Sequence, residues 1–209
     1  PTYDVFDDLR YFEPGTEFEP VVINGIPFGI TVCEDIWFND NEIQYHTYRN
    51  NPAAILSEKG ARAIINISAS PFTKRKPITR VGMLQKHAQE LGLPLFYVNQ
   101  VGANTELIFD GDSLALDQTG FIVTRDERFK STFVDIDYNP KTQTLDAGKY
   151  AECERTIPNP IKTMFDALVL GVHDYLRKSK LGNKVILGLS GGIDSALVCV
   201  IASEAVGSE

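Results

Sequence analysis

Apolar and polar positions alternate with two periods along this chain, and the changes of period mark its elements. The run VVINGIPFGITVCEDIWF, residues 21–38, holds two apolar stretches that meet at Asn24-Gly25. That dipeptide tolerates the positive φ of a two-residue hairpin turn. The second stretch, Ile26 to Val32, is dense in apolar and β-branched residues and predicts a buried strand, which stops where Cys33, Glu34 and Asp35 begin. NPAAILSEKG then predicts a helix stopped at Gly60, followed by a strand from Ala63 to Ile67 and a Ser/Pro loop. The scheme repeats as a helix near 78–91, a break at Gly92 and Pro94, and a strand from Leu95 to Asn99. GDSLALDQTGFIVTRD predicts a further hairpin turning at Gln118-Thr119-Gly120. Strands and helices thus alternate over 20–136, with antiparallel pairs as well as crossovers, as in a layered α/β sandwich. Residues 1–20 show no period and read as a loop.

The texture changes over 137–160, DYNPKTQTLDAGKYAECERTIPNP, which has small polar residues, prolines and little periodicity and reads as a linker. Next, IKTMFDALVLGVHDYLRK places Met164, Phe165, Leu168, Val169, Val172 and Leu176 on one stripe of an amphipathic helix. KVILGL, residues 184–189, predicts a buried strand, and a Gly-rich turn then opens the apolar helix SALVCVIASEAV.

Composition narrows the function classes. Of 209 residues, 43% are apolar and 23% charged, which is globular composition. A net charge of −8 argues against general nucleic-acid binding, which needs a basic face. The cysteines Cys33, Cys153 and Cys199 lie far apart with no CxxC pair, so a reducing, cytoplasmic setting is expected, without a zinc site. No stretch reads as a membrane span or a leader peptide. The chain starts at Pro1 and not at Met, so an upstream part is expected.

Strand, Gly-rich turn and helix together aim bare N–H groups and a helix N-terminus at an anion. In GLSGGIDS, residues 188–195, Gly191 and Gly192 allow close backbone approach, while Ser190 and Ser195 add hydroxyl donors. The spacing is neither GxxxxGK[ST] nor GxGxxG. Asp194 is unusual in an anion loop. It fits either a divalent metal or a plain helix cap, and as a tight turn with an Asp cap the loop would bind nothing. SGGIDS resembles the pyrophosphate loop of the N-type ATP pyrophosphatases. That resemblance implies ATP as ligand, bound by Gly188, Leu189, Ser190, Gly191, Gly192, Ile193, Asp194 and Ser195, with Mg2+ as the accompanying cation.

Cys33 follows a strand directly, a place where reactive groups are displayed, although a free cysteine is by default a small core hydrophobe. The adjacent Glu34 and Asp35 would raise its pKa, so a nucleophilic Cys33 needs a cation or base from elsewhere, and no histidine lies nearby in sequence. GITVCEDIW, NISASPF and NQVGANTELIFDGDS resemble the nitrilase-type glutaminase domain of the glutamine-dependent NAD synthetases. The opening PTYDVFDDLRYF resembles the segment after that family's catalytic lysine. The lysine and the general-base glutamate of its Glu–Lys–Cys triad are therefore expected before Pro1, and this stretch by itself is expected to be inactive.

The resemblance implies Cys33 as nucleophile on the glutamine amide, with Tyr3, Glu34, Trp37, Ser70 and Lys76 lining the glutamine site. Without it, Lys76 within KRK would read as a solvated charge. Asp8 and GANTE depart from the commoner Glu and GGQDE. The implied fold is the C-terminal half of a four-layer αββα sandwich followed by the first helix-strand-helix of a Rossmann-like ATP pyrophosphatase domain. The implied layout is glutaminase over 1–140, linker over 141–160 and synthetase over 161–209. The implied partners are glutamine, ATP and deamido-NAD+, in a homo-oligomer. A plain nitrilase-like amidase, or another glutamine-dependent member such as GMP synthetase, is the alternative. Cys153, Cys199, His46, His87 and His173 carry no expected role.

Overall fold

The computed structural model describes residues 10–13, 15–37, 50–151, 159–180, 182 and 184–207. Strands β1 (Val21–Ile23) and β2 (Ile26–Val32) form the expected hairpin, with Asn24 at φ 51° and Gly25 at φ 79°. A single 3-10 turn, Cys33–Ile36, ends β2. Helix α1 (Pro52–Glu58) is capped by Asn51, whose side chain accepts from the Ala54 N–H at 3.2 Å. Strand β3 (Ala63–Ser68), helix α2 (Lys76–Leu91) and strand β4 (Leu95–Asn99) follow, with Gly92 in the left-handed region at the end of α2. Then come β5 (Val101–Asn104), β6 (Leu107–Asp110), β7 (Leu114–Leu116) and β8 (Ile122–Arg125).

Six strands form one sheet in the order β1-β2-β3-β4-β7-β8, with β2, β3 and β4 parallel. Both crossovers, through α1 and α2, place a helix on the same face. The core lies there, built from Ala53, Leu56, Ile64, Leu84, Ala88, Leu95, Leu114 and Leu116. This gives one helix layer on one sheet, the two layers expected of half a four-layer sandwich. On the far face Val32, Ile67 and Val98 remain more than half exposed. The helix face at β2 is packed so closely that a Cβ on Gly29 would come within 2.7 Å of Ile64 Cδ1 on β3 and 3.1 Å of Leu56 Cβ on α1.

Rows of paired residues across the helix face turn from apolar to polar along the parallel strands. Gly29, Ile64, Leu95 and Leu116 form one row, and Thr31, Asn66, Tyr97 and Leu114 the next. Ser68 pairs with Asn99 in the last. All of these polar side chains are buried, so each must find a partner inside the protein. The C-terminal ends of the strands are thereby marked as the place where polar chemistry is concentrated.

Two expectations are corrected. The stretch read as a linker carries a hairpin, β9 (Asp137–Asn139) with β10 (Thr144–Asp146), and a 3-10 turn at Gly148–Tyr150. Tyr138 anchors the hairpin to the far face: its ring lies 6.0 Å from Phe28 and 6.3 Å from Phe96, and its hydroxyl donates to the Arg62 carbonyl at 2.7 Å. Residues 184–189 do not form the expected strand. Among the described residues no strand pairs with them, so they have neither ladder bonds nor cover, and Ile186 is 98% exposed.

Helix α3 (Pro160–Ser179) matches the expected helix, but its most buried residues are not the expected stripe. They are Thr163, Ala167 and Asp174, and Gly171 lies on the same seam, close to Ile108 of β6. The Asp174 carboxylate accepts from the Ala103 N–H at 2.8 Å. Gly102, at φ 127°, leaves room for that carboxylate, since a Cβ there would sit 2.9 Å from its Oδ2. The apolar stripe is only partly buried, and Leu168 is 49% exposed. Helix α4 (Ile193–Val206) packs on α3, and the Ala205 carbonyl lies 2.9 Å from His173 Nδ1.

Candidate functional site

Cys33 sits at the tip of β2 with φ 46°, a left-handed conformation that a non-glycine residue holds only when its surroundings enforce it. Two bonds do so here. The Asp35 carboxylate accepts from the Val32 N–H at 2.9 Å, and Asn66 Nδ2 donates to the Cys33 carbonyl at 3.3 Å. Asn66 is itself held by Thr31 Oγ1 at 2.9 Å and by Ser68 Oγ, which donates to its Oδ1 at 2.6 Å. The buried polar row below the turn thus fixes the cysteine backbone.

Burial pushes the Cys33 thiol up, and the Glu34 carboxylate adds to the rise. The N–H groups of Ala69 and Glu34 and the ammonium of Lys76 pull the other way without cancelling it. Lys76 is therefore a cation from another part of the chain whose charge acts on the Cys33 thiol. Its neighbours Lys74 and Arg75 are exposed, whereas Lys76 is half-buried, 5.4 Å from the Trp37 ring centroid. The reading of Lys76 as a solvated charge is thereby overturned. Burial lowers its pKa to about 8, and the Arg80 charge one turn along α2 acts in the same direction.

Glu34 is 7% exposed, Trp37 4% and Ser70 0%, so the structure gathers Cys33, Glu34, Trp37, Ser70 and Lys76 at one end of the sheet. Tyr3 lies outside the described residues, as do His46 and Cys153. His87 is buried in α2, and burial lowers its pKa.

Sequence reasoning missed a set of buried polar residues beneath this cluster. Arg80 donates to both oxygens of Asp110, at 3.1 and 2.7 Å, and to Asp112 at 2.8 Å. Arg125 and Arg128 close on Asp112 from the other side. Asn99 ties Asp110 to Ser70. Asn66 and Asn99 were detectable, because each falls on the apolar parity of its strand, in AIINIS and LFYVN.

The second loop is open. Gly191 has φ 86° and Gly192 stands at the N-cap of α4. Ser195 Oγ donates to the Gly192 carbonyl at 3.0 Å and lies 3.1 Å from Ser190 Oγ, which accepts from the Gly192 N–H at 3.4 Å. The N-cap of α4 is Gly192 and Asp194 lies within the first turn, so the plain Asp-cap reading does not hold. Gly188, Leu189, Ile193 and Asp194 are exposed beside these groups. Among the described residues no cluster of His, Cys, Asp or Glu could hold a metal ion by itself, and no helix is long and apolar enough to cross a membrane.

Residues 4–143 match the carbon-nitrogen hydrolase family. The chain belongs to that family. Residues 164–209 match the family described as NAD synthase. Over all 209 residues the chain is 40% identical to the glutamine-dependent NAD(+) synthetase of Synechocystis sp., and covers 37% of that protein. It is 37% identical to the synthetase of the same name from Thermotoga maritima, aligned along the whole chain and 39% of that relative. Among solved structures, the glutamine-dependent NAD+ synthetase from Acinetobacter baumannii in complex with adenosine diphosphate superposes with a TM-score of 0.85 at 33% identity, over 99% of this chain and 36% of the other. The chain therefore spans less than half the length of the relatives it matches. Cys33 lies at the end of a strand that runs parallel to β3, and the charges of Glu34 and Lys76 act on its thiol.

Proposed function

We propose that this chain serves glutamine-dependent amidation of deamido-NAD+ to NAD+, with Cys33 as the glutaminase nucleophile and the 188–195 turn as the ATP phosphate loop. The observation that carries this reading is that one chain holds both a strained cysteine beside Lys76 and Glu34 and an open SGGIDS turn on a helix. The likeness of the whole chain to glutamine-dependent NAD(+) synthetases supports it. Glutamine carries an α-ammonium and an α-carboxylate, and Glu34 and Lys76 offer the opposite charges at one end of the sheet. Cys33 Sγ then attacks the side-chain amide carbon. The C–N bond breaks, the thiol proton is passed by the general base of the triad to the departing nitrogen so that ammonia leaves, and the γ-glutamyl thioester left on the sulfur is then cleaved by water. The N–H groups of Ala69 and Glu34 favour the thiolate form that this step needs. The glutamate and lysine that the family resemblance adds to the triad are not among these residues.

At the other site, Gly191 and Gly192 expose backbone N–H groups at the head of α4, which suits the phosphates of ATP. A carboxylate beside phosphate needs a cation between them, so Asp194 and the ATP phosphates together would hold Mg2+, which neutralises phosphate charge. Ammonia released at Cys33 would replace adenylate on the activated carboxyl of deamido-NAD+. The corresponding layout is glutaminase over 1–140, a connecting segment over 141–160 and the start of the synthetase part from 161. Cys33 and Cys199 are unpaired, which fits a reducing compartment such as the cytoplasm.

The test is Cys33→Ala in the intact protein, assayed with glutamine and with ammonium as nitrogen source. Glutamine-dependent NAD+ formation should vanish while ammonium-dependent formation persists. Amide hydrolysis with no use of ATP would instead identify a plain amidase.

A further inference from the structure

Strand pairing between β3 and β4 ends at Ser68 opposite Asn99, so the backbone of Ala69 and Ser70 has no strand neighbour of its own. The Asn99 side chain takes that place. Its Oδ1 accepts from the Ser70 N–H at 2.9 Å, and its Nδ2 approaches the Ser70 carbonyl at 3.4 Å. The same Nδ2 donates to the Gly111 carbonyl at 2.9 Å and lies 3.4 Å from Asp110 Oδ1. Asp110 is fixed in turn by the paired bonds from fully buried Arg80. A carboxamide with both ends engaged cannot rotate without breaking several bonds, and it is 6% exposed.

We infer that Asn99 is a positioning residue for Cys33: its carboxamide locks the 69–70 backbone, which continues β3 just past the end of its pairing with β2 at Val32 and Ile67, and so holds the Ala69 N–H and Ser70 beside the cysteine. This rests on the reading of Cys33 as the glutaminase nucleophile. Asn99 acts through Ala69 and Ser70 and has no bond to Cys33. Loss of the lock frees the 69–70 segment, which removes one donor from the thiolate and displaces Ser70 from the glutamine site. The nearby charges belong to Lys76, Arg80, Asp110 and Glu34, and an uncharged substitution at Asn99 leaves all four in place.

The test is the pH profile of Cys33 alkylation by iodoacetamide in the intact protein, followed by peptide mass spectrometry. Cys199, half-buried on α4, is the internal reference for folding. Asn99→Ala should move the Cys33 midpoint up by about half to one pH unit, the equivalent of one modest hydrogen bond. It should also raise the KM for glutamine and spare ammonium-dependent NAD+ formation. Ser113→Ala is the packing control, because Ser113 Oγ accepts from the Asn99 backbone N–H at 3.0 Å and donates to the Asn99 carbonyl at 3.5 Å, and leaves the carboxamide untouched. An unchanged Cys33 profile in Asn99→Ala overturns the proposal, and so does an equal shift in both variants. Rapid Cys199 alkylation in Asn99→Ala, marking lost structure, also overturns it, since Asn99 would then serve the fold alone. If Cys33→Ala spares glutamine use, the functional reading fails, yet the alkylation profiles still decide the role of Asn99.

Discussion

Lys76 occupies the first position of α2, where its charge opposes the helix dipole, and burial holds its pKa at about 8. Both effects cost stability, and under the proposed reading the residue serves the site and not the helix. Below pH 8 the folded and unfolded chains are both protonated at Lys76 and the folded state bears the full penalty. Between pH 8 and the ordinary value of 10.5 the folded chain releases the proton first, and stability rises with pH on that account. Lys76→Met keeps the length of the side chain and removes the charge. It should raise the Tm at pH 7, with a gain that shrinks by pH 9.5, and calorimetry at the two pH values measures this. The same variant should lower glutamine turnover, since the ammonium no longer offsets the burial of the Cys33 thiol. A lower Tm at pH 7 would show that Lys76 is a structural cation. Sequence alone reads Lys76 as one of three basic residues in KRK, because burial is a property of the packed Trp37 and Cys33 around it.

Asp174 joins α3 to the β5–β6 hairpin by accepting from the Ala103 N–H, while Lys178 donates to the Ala103 carbonyl from the same helix. Burial raises the Asp174 pKa, but the Ala103 N–H, Arg177 and Lys178 outweigh it and hold the carboxyl below its usual range. Asp174→Ala leaves a buried N–H without an acceptor, and should destabilise the docking of α3 by about 1–3 kcal/mol. Faster hydrogen exchange at the Ala103 amide and a lower urea midpoint are the readouts, and Asp174→Asn, which keeps an acceptor oxygen, should show a smaller effect. The seam was hidden in the sequence because the apolar stripe from Met164 to Leu176 is the stronger periodic pattern, whereas the seam is built from Thr163, Ala167, Gly171 and Asp174. Elements with local causes were legible: the Asn24-Gly25 turn, the Gly92 stop and the strands Ile26–Val32 and Leu95–Asn99. The β9–β10 hairpin was not, because its anchor is the contact of Tyr138 with Phe28 and Phe96, far away in the chain. The run 184–189 has strand composition, but a strand exists only where a neighbour completes its hydrogen bonds.

At the scale of the whole molecule, the cysteine cluster and the Gly-rich turn stand on separate supports. Cys33 is set by the parallel sheet and α2, and the turn by α4, which packs on α3 as α3 packs on the β5–β6 hairpin. Under the proposed reading the two sites also serve different steps. Glutamine hydrolysis supplies ammonia, while the phosphate loop serves activation of the carboxyl, which is needed whatever the source of ammonia. Gly191 gives a clean probe of the second step. Its φ is 86°, and nothing lies within 4 Å of a Cβ built on it, so Gly191→Ala introduces backbone strain without a clash. Holding alanine in the left-handed region costs about 1–2 kcal/mol, which is roughly a 5- to 30-fold loss wherever the loop must keep this shape. Gly191→Ala in the intact protein should therefore reduce NAD+ formation from glutamine and from ammonium by the same factor, and leave the alkylation profile of Cys33 where it was. Cys33→Ala should do the reverse, abolishing one nitrogen source and sparing the other. If Gly191→Ala weakened only the glutamine reaction, the turn would belong to the glutaminase half, and the division of labour between the two loops would be wrong.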